Sequence, residues 1–283
     1  MAVMKVTRLH DVHEFWRQAE PLYTKDPVRH TVALTVLTRV RTGETDCDPI
    51  LLTIEDQGAI VGAVFCTPPH PYGLSAMPVA AARSVAEFTA EQGIRPSSAF
   101  GEHAAVEAFV TAWHDITGAQ HTVGLDSRLY RLAEAEFAPP ADVPGELVIA
   151  GPDDLDAMFE LKRGFDLETE QREPLERPAL RASLAAGNGY GIWRVEGRPV
   201  SLAMASKPAE GMSRVSSVYT PPDERGHGYG SAVTAGISRW AIDQGAADVV
   251  LFTDLANPIS NSIYQRIGYR PVTDTIEVVF QLP

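Results

Sequence analysis

The sequence predicts an α/β protein, with a mixed sheet of the α+β kind, made of two similarly organised domains in tandem. Three observations lead to this prediction. A strand, a glycine-rich turn and a helix follow one another between Val215 and Ala241. A strand–helix–hairpin order occurs twice, about 140 residues apart. A proline-rich stretch at 138–144 separates the two occurrences, and a chain of 283 residues is long enough for two domains.

The first half of the chain opens with a strand at Lys5–Leu9, and Asp11 is placed to cap the helix that follows it. Residues 50–66 read as a hairpin that turns at Gln57-Gly58. Apolar patterning predicts three more helices and one more strand, at 31–40, 79–89, 103–113 and 123–132.

The second half repeats this order. A strand at Glu146–Ala150 precedes a helix that opens at Asp153, and a second hairpin turns at Glu196-Gly197. The predicted domains are therefore residues 1–138 and residues 145–283. The first domain contains no glycine-rich loop, so we predict that it has no cofactor loop.

The stretch from Val215 to Ala241 is the most informative part of the second half. Val215–Thr220 is typical of a strand, and the two prolines that follow it cannot donate to a sheet ladder. Arg225–Gly230 forms a glycine-rich turn, and the apolar spacing becomes helical from Ser231 onward. An apolar β run at 248–253 is predicted as a central strand.

A strand–loop–helix unit of this kind predicts anion binding. The first turn of a helix leaves backbone N–H groups without internal partners, and the helix dipole adds partial positive charge there. Glycines at 226, 228 and 230 let a phosphate approach the main chain closely, and Arg225 adds a cation. A diphosphate is the ligand that this loop suits best.

Spacing separates the families that use such loops. A Walker loop requires a Lys followed by Ser or Thr, whereas Tyr229-Gly230-Ser231 has no Lys. A dinucleotide fingerprint requires a third glycine where Ser231 stands, which disfavours a Rossmann-like domain. The pattern R-x-x-G-x-G is matched by Arg225, Gly228 and Gly230, and it closely resembles the acetyl-CoA signature of the GNAT acetyltransferase superfamily.

A second GNAT-like motif follows the central strand. Residues 257–269 resemble N-x-x-A-x-x-x-Y-x-x-x-G-F, with Ser260 where Ala is usual and Tyr269 where Phe is usual. The resemblance covers residues 145–283 well and the first half in outline. The chain is thus similar to tandem GNAT proteins whose first domain is degenerate.

The resemblance implies that the protein transfers an acetyl group from acetyl-CoA to an amine. Main-chain groups of the strand would hold the pantetheine arm, amides of the loop would hold the diphosphate, and Tyr264 would be the catalytic residue that protonates the departing thiolate. The implied cofactor-binding residues are Val218, Tyr219, Thr220, Arg225, Gly226, His227, Gly228, Tyr229, Gly230, Ser231 and Asn257. Other interpretations stay open: Tyr264 as an aromatic core residue, and Asn257 as a helix N-cap.

The general base is not determined by the sequence. Glu168, Glu170 and Glu173 lie in the segment between the first two predicted helices of the second domain, which in this family often covers the acceptor site. Each is a candidate base or a partner for a cationic acceptor, and each is equally well explained as a solvated surface acid. The alternative function is a non-catalytic CoA-binding module for regulation or interaction.

Composition limits the partners. The net charge of −13 argues against a general nucleic-acid-binding surface and mildly favours a cationic acceptor, which is a small-molecule or peptide amine. Cys47 and Cys66 do not form a disulfide framework, and the spacing of the histidines matches no zinc pattern, so no metal is expected. No apolar window reaches membrane-spanning length, and the N-terminus lacks a signal-peptide pattern, so the expectation is a cytoplasmic protein of undetermined oligomeric state.

Overall fold

A computed structural model describes residues 4–45, 47–169 and 176–281. Over these residues the chain forms eight helices and twelve strands in mixed parallel and antiparallel pairing, which confirms the predicted α/β class. The chain divides into two compact units. The first contains the residues up to Leu129, Asp254–Ala256 and the residues from Val272 onward, and the second contains Tyr130–Thr253 and Asn257–Pro271.

The first unit contains an open sheet with helices packed on it. Its elements are β1 (Lys5–Leu9), α1 (Val12–Lys25), α2 (Thr31–Arg41), β2 (Ile50–Asp56), β3 (Ala59–Cys66), β4 (Tyr72–Leu74), α3 (Val79–Glu91), β5 (Ser98–Glu102), α4 (His103–Thr117) and the first part of β6 (His121–Leu132). The strand order is β1-β2-β3-β4-β5, followed by β12 (Tyr269–Phe280). Only β4 and β5 run parallel among these registered pairs.

The second unit repeats the arrangement. Its elements are β7 (Glu146–Ile149), α5 (Leu155–Glu168), α6 (Arg177–Ala185), β8 (Gly189–Val195), β9 (Arg198–Ala205), β10 (Met212–Tyr219), α7 (Tyr229–Asp243), β11 (Asp248–Asp254) and α8 (Pro258–Ile267). The strand order is β11-β10-β9-β8-β7, and β10 and β11 run parallel. Helix α7 covers one face of β8–β10, whereas α5 packs against β9 and β10 with a separate apolar cluster.

Local chemistry explains the elements that the sequence predicted. Asp11 caps α1, because its carboxylate accepts hydrogen bonds from the backbone N–H groups of His13 (2.7 Å) and Glu14 (2.8 Å). The hairpin turns at Gln57-Gly58 and Glu196-Gly197 both place two successive residues at positive φ, between 50° and 85°. This is the geometry of a type I′ turn, which matches the twist of the strands that it joins. Both predicted hairpins are confirmed.

Strand β12 was not predicted from the sequence, and it changes how the chain divides. Its residues Thr275–Val279 pair antiparallel with β5, from Thr275 opposite Glu102 to Val279 opposite Ser98. Its apolar side chains Ile276, Val278 and Phe280 are buried in the first unit's core. The last residues of the chain therefore group with the first unit rather than with residues 145–271. The division of the chain into domains at residues 1–138 and 145–283 stays a prediction.

Candidate functional site

The site is built around the second half of β10. This strand pairs in parallel with β11 from Met212 to Val215, and the registered pairing ends there. On its other side β10 pairs antiparallel with β9 as far as Tyr219, and the register of this pairing shifts between Ser216 and Tyr219. Ser217 adopts a φ of +51°, which marks a β-bulge that reorients the following residues. The parallel strands thus separate just where the predicted site residues Val218 and Tyr219 begin.

The turn after β10 leads into α7. The helix begins at Tyr229, two residues earlier than the apolar pattern indicated, because the buried Tyr229 ring already packs into the unit and stacks on His227. Gly228 is the N-cap, and no side chain caps the helix. The first helical hydrogen bond is donated by the Ala232 N–H to the Gly228 carbonyl, at 3.0 Å. The amides at 229–231 therefore have no partner within the helix.

Each of the three glycines in the loop is favoured at its position for a different structural reason. Gly226 and Gly228 both adopt a φ of +84°, a region that is strained for residues with a Cβ. A Cβ at Gly228 would also come within 3.1 Å of the Val143 side chain. Gly230 has an ordinary φ, but a Cβ there would lie 3.3 Å from the Thr220 hydroxyl. Residues 226–228 are exposed, and the glycines at 226 and 228 leave the main chain there without a covering side chain of their own.

Arg225 is held at the start of this loop. Its Nε donates to the Thr220 carbonyl at 2.9 Å, and its Nη2 forms an ion pair with Glu168, the last residue of α5. Both side chains are about half exposed. The cation predicted for the loop is therefore present, but its guanidinium is shared with a carboxylate of α5.

The end of β10 is fixed from two sides. The Ser201 hydroxyl donates to the Tyr219 carbonyl at 2.8 Å and lies 2.9 Å from the Thr220 hydroxyl. The Tyr219 ring packs on α5 at Gly164, where an added Cβ would lie 2.6 Å from the ring. Ser201 and Gly164 were not recognised from the sequence. A glycine inside a predicted helix was the one signal for Gly164, since such a glycine costs helix stability unless something packs against it.

The candidate residues of the second motif lie on α8. Asn257 is its N-cap: the side-chain Oδ1 accepts from the Ser260 N–H at 3.0 Å, so the capping interpretation describes what this side chain does. Tyr264 is buried among apolar residues, with its ring edge-on to Tyr269 at a centroid distance of 6.1 Å. Burial raises the pKa of Tyr264 to about 12. Its phenol therefore keeps its proton at neutral pH.

The candidate bases are distributed differently. Glu168 is the ion-pair partner of Arg225. Glu170 and Glu173 lie outside the residues that the structure describes. Glu224, next to the loop, forms an ion pair with Arg198. The loop therefore carries positive character from its amides and Arg225, and Glu168 and Glu224 beside it are each paired with an arginine.

Within 4–45, 47–169 and 176–281, no helix is both long enough and apolar enough to cross a membrane. Over those same stretches, no three His, Cys, Asp or Glu side chains converge as a metal site would require.

The sequence of this region matches a known family. The family model described as the acetyltransferase (GNAT) family matches residues 155–269. Residues 155–269 are a GNAT-family domain. The match includes α5, the separated strands, the glycine loop and α8, so the predicted family resemblance is confirmed.

Solved structures share the fold over the whole chain. A GNAT-family acetyltransferase from Colwellia psychrerythraea has a TM-score of 0.58 at 13% identity, covering 99% of this chain and 100% of that one. A tandem GNAT protein from the clavulanic acid biosynthesis pathway has a TM-score of 0.59 at 12% identity, with 99% of each chain covered. A GCN5-related N-acetyltransferase from Kribbella flavida has a TM-score of 0.57 at 17% identity, covering 79% of this chain and 88% of that one. No curated protein sequence matches this chain significantly.

These likenesses show the fold. The tandem arrangement predicted from the internal repeat is confirmed, since a tandem GNAT protein is matched over its full length.

Proposed function

We propose that this GNAT domain is an acetyl-CoA-dependent N-acetyltransferase that moves the acetyl group to an amine by direct attack on the thioester. The observation that carries the proposal is the junction of two features. The β10–β11 pairing ends at Val215, and the uncapped start of α7 follows within 14 residues along the chain. A long ligand with a narrow arm and an anionic diphosphate matches this combination.

The residues present suit acetyl-CoA. The main chain of Val218, Tyr219 and Thr220 would hold the pantetheine arm in the gap left by the strands. Amides between Gly226 and Ser231 would hold the diphosphate, where helix-terminal N–H groups and the dipole favour negative charge. Arg225 would add a charge-assisted hydrogen bond to a phosphate oxygen. When bound, the thioester supplies an activated acetyl group.

The chain's own groups would then assist the transfer. Attack by the amine would form the C–N bond and build negative charge on the carbonyl oxygen. The backbone N–H of Val218 would stabilise that charge. Tyr264 would donate its phenolic proton to the departing thiolate as the C–S bond breaks, and its phenolate would be reprotonated from solvent, while the proton lost by the amine would pass to a base or to water. The phenol of Tyr264 is protonated at neutral pH, as an ordinary tyrosine is, and burial raises its pKa further, to about 12. Asn257 would contribute by fixing the start of α8.

The first domain is proposed to be degenerate. In this domain the backbone N–H of Ala76, two residues after the end of β4, donates to His30 Nε2 at 3.2 Å. Gly101 on β5 lies so close to the end of β4 that an added Cβ would be 2.9 Å from the Leu74 carbonyl oxygen. The turn into α3 thus uses an amide internally, and the strands β4 and β5 stay close. Neither feature favours a cofactor in this unit.

The acceptor is proposed to be a small-molecule or peptide amine. The net charge of −13 favours a cationic one through long-range attraction.

The test is a calorimetric titration of the purified protein with acetyl-CoA, followed by acetyl transfer to a panel of amines. One-site binding together with transfer supports the proposal. Binding without transfer to any amine and without hydrolysis of the thioester would favour the non-catalytic CoA-binding module. Absence of binding would contradict the assignment of the loop.

A further inference from the structure

Arg225 has two neighbours that compete for one guanidinium. In the structure it forms an ion pair with Glu168, while the proposed function gives it a phosphate of the cofactor. A carboxylate and a diphosphate beside the same guanidinium repel each other, because both are anions in one small volume. A ligand diphosphate must therefore share Arg225 with Glu168 or displace it.

We propose that Glu168 is a positioning residue that competes with the diphosphate for Arg225, so that cofactor binding releases the end of α5. This inference rests on the proposed function. Arg225 has five N–H donors in a fixed fork, and the bond from Nε to the Thr220 carbonyl holds the fork beside the loop. Because this anchor does not involve Glu168, the guanidinium stays at the loop when the carboxylate leaves.

Helix α5 is attached to the loop region along one stripe. Gly164 and Glu168 are four residues apart, so they lie on the same helix face one turn from each other. Gly164 packs on the Tyr219 ring, and Glu168 pairs with Arg225. Release of Glu168 therefore removes the ion pair at the end of this stripe and leaves the packing contacts further back on the helix, at Gly164 and at the buried Leu161. The last helical hydrogen bond, from the Thr169 N–H to the Phe165 carbonyl at 3.0 Å, lies beside the freed carboxylate.

The affinity test uses Glu168→Gln, which keeps the shape and removes the charge. We expect the Kd for CoA and for dephospho-CoA to fall by about two- to fivefold, the range of a half-exposed ion pair. Glu160→Gln is the matched control, since Glu160 also lies on α5 and pairs with Arg163 rather than with Arg225. Glu160→Gln should leave the Kd close to that of the wild type. An unchanged or higher Kd for Glu168→Gln would overturn the inference.

A double-mutant cycle separates the pair from general electrostatics. In an Arg225→Gln background, Glu168→Gln should no longer improve CoA binding. An equal improvement in both backgrounds would show that the carboxylate acts by long-range repulsion, and would overturn the inference. Failure of the wild-type protein to bind CoA would instead contradict the proposed function, so the two failures are distinguishable.

Hydrogen exchange reports on the release itself. CoA should slow amide exchange at 226–231 while it accelerates exchange at 165–169. Glu168→Gln without CoA should already show the faster exchange at 165–169, and Glu160→Gln should not. Slower exchange of both segments on CoA binding would overturn the proposed release.

Discussion

Individual side chains here perform tasks that depend on their surroundings more than on their type. Asn257 is an amide in a family motif, and in the structure its oxygen caps α8. Tyr264 is a phenol in the same motif, and it lies in an apolar cluster. His30 is buried and accepts a backbone hydrogen bond. Substitutions of Tyr264 and His30 therefore give testable predictions.

Tyr264→Phe should lower kcat about 100-fold or more with little change in KM, since a general acid contributes that much to a proton transfer. Tyr269→Phe is the control: it removes a buried hydroxyl 2.7 Å from the Ser238 hydroxyl in the same cluster. The control should cost stability, by about 1 kcal/mol, without lowering kcat. Steady-state kinetics with an identified amine would measure both. Equal kcat for Tyr264→Phe and wild type would remove the acid role.

His30 should make the first unit less stable in mild acid. Burial lowers its pKa from 6.5, against smaller opposing effects of Asp26 and Tyr23, while the Arg29 charge also lowers it. The unfolded chain therefore takes up a proton near pH 6.5 that the folded chain resists, so stability is lost as the pH falls below that value.

The measurement is urea unfolding at about pH 7.5 and about pH 5, where a histidine changes its charge. His30→Gln should be less stable than wild type at the higher pH and should lose less stability on acidification. A loss as large as that of the wild type would show that other groups cause the acid sensitivity.

At the scale of elements, the glycine loop and the start of α7 together are the proposed binding site for the diphosphate. Gly226→Glu should reduce acetyl-CoA affinity by tenfold or more, because it adds a negative charge beside the amides. It should also cost about 1–2 kcal/mol of stability, since the residue has positive φ. Gly245→Glu is the matched control, because Gly245 also has positive φ and no atom near its Cβ position, but lies at the other end of α7.

Calorimetry and thermal unfolding would be measured on both glycine variants. The control should lose the same stability and keep the wild-type affinity for acetyl-CoA. Equal affinities of the two variants would place the diphosphate elsewhere.

At the scale of the whole molecule, each compact unit takes core residues from outside the predicted bounds of its domain. The first unit's core includes Ile276, Val278 and Phe280, and the second unit's core includes Tyr130 and Leu132. The Tyr130 hydroxyl donates to the Asn261 side chain at 2.8 Å within the second unit. A cut at 138–145 therefore removes core residues from both units.

Residues 1–138 alone should not fold. They lack three buried apolar side chains worth about 1.5–3 kcal/mol each, which together approach the whole stability of a typical domain. Residues 145–283 should melt at a lower temperature than residues 130–271, which contain the second unit's core. Circular dichroism melts of the three fragments would measure this. A cooperative melt of 1–138, or a higher melting temperature for 145–283, would contradict the prediction.

What the sequence determined by itself is local chemistry. The caps, both hairpin turns and the glycine loop were predicted because each depends on residues within a few positions of one another, such as Gln57-Gly58 and Gly226–Gly230. The family followed from the same local motifs and is confirmed.

Only the tertiary structure decided which distant residues meet. The pairing of β12 with β5 and the ion pair between Glu168 and Arg225 join residues whose separation in sequence gives no pattern. The bulge at Ser217 is likewise not indicated by the local sequence, because it arises where β10 pairs with β9. Strand β12 shows the reason most clearly. Its apolar pattern is compatible with pairing to several different strands. Pairing with β5 is favoured by the burial of its side chains in the first unit's core, which no spacing along the sequence reveals.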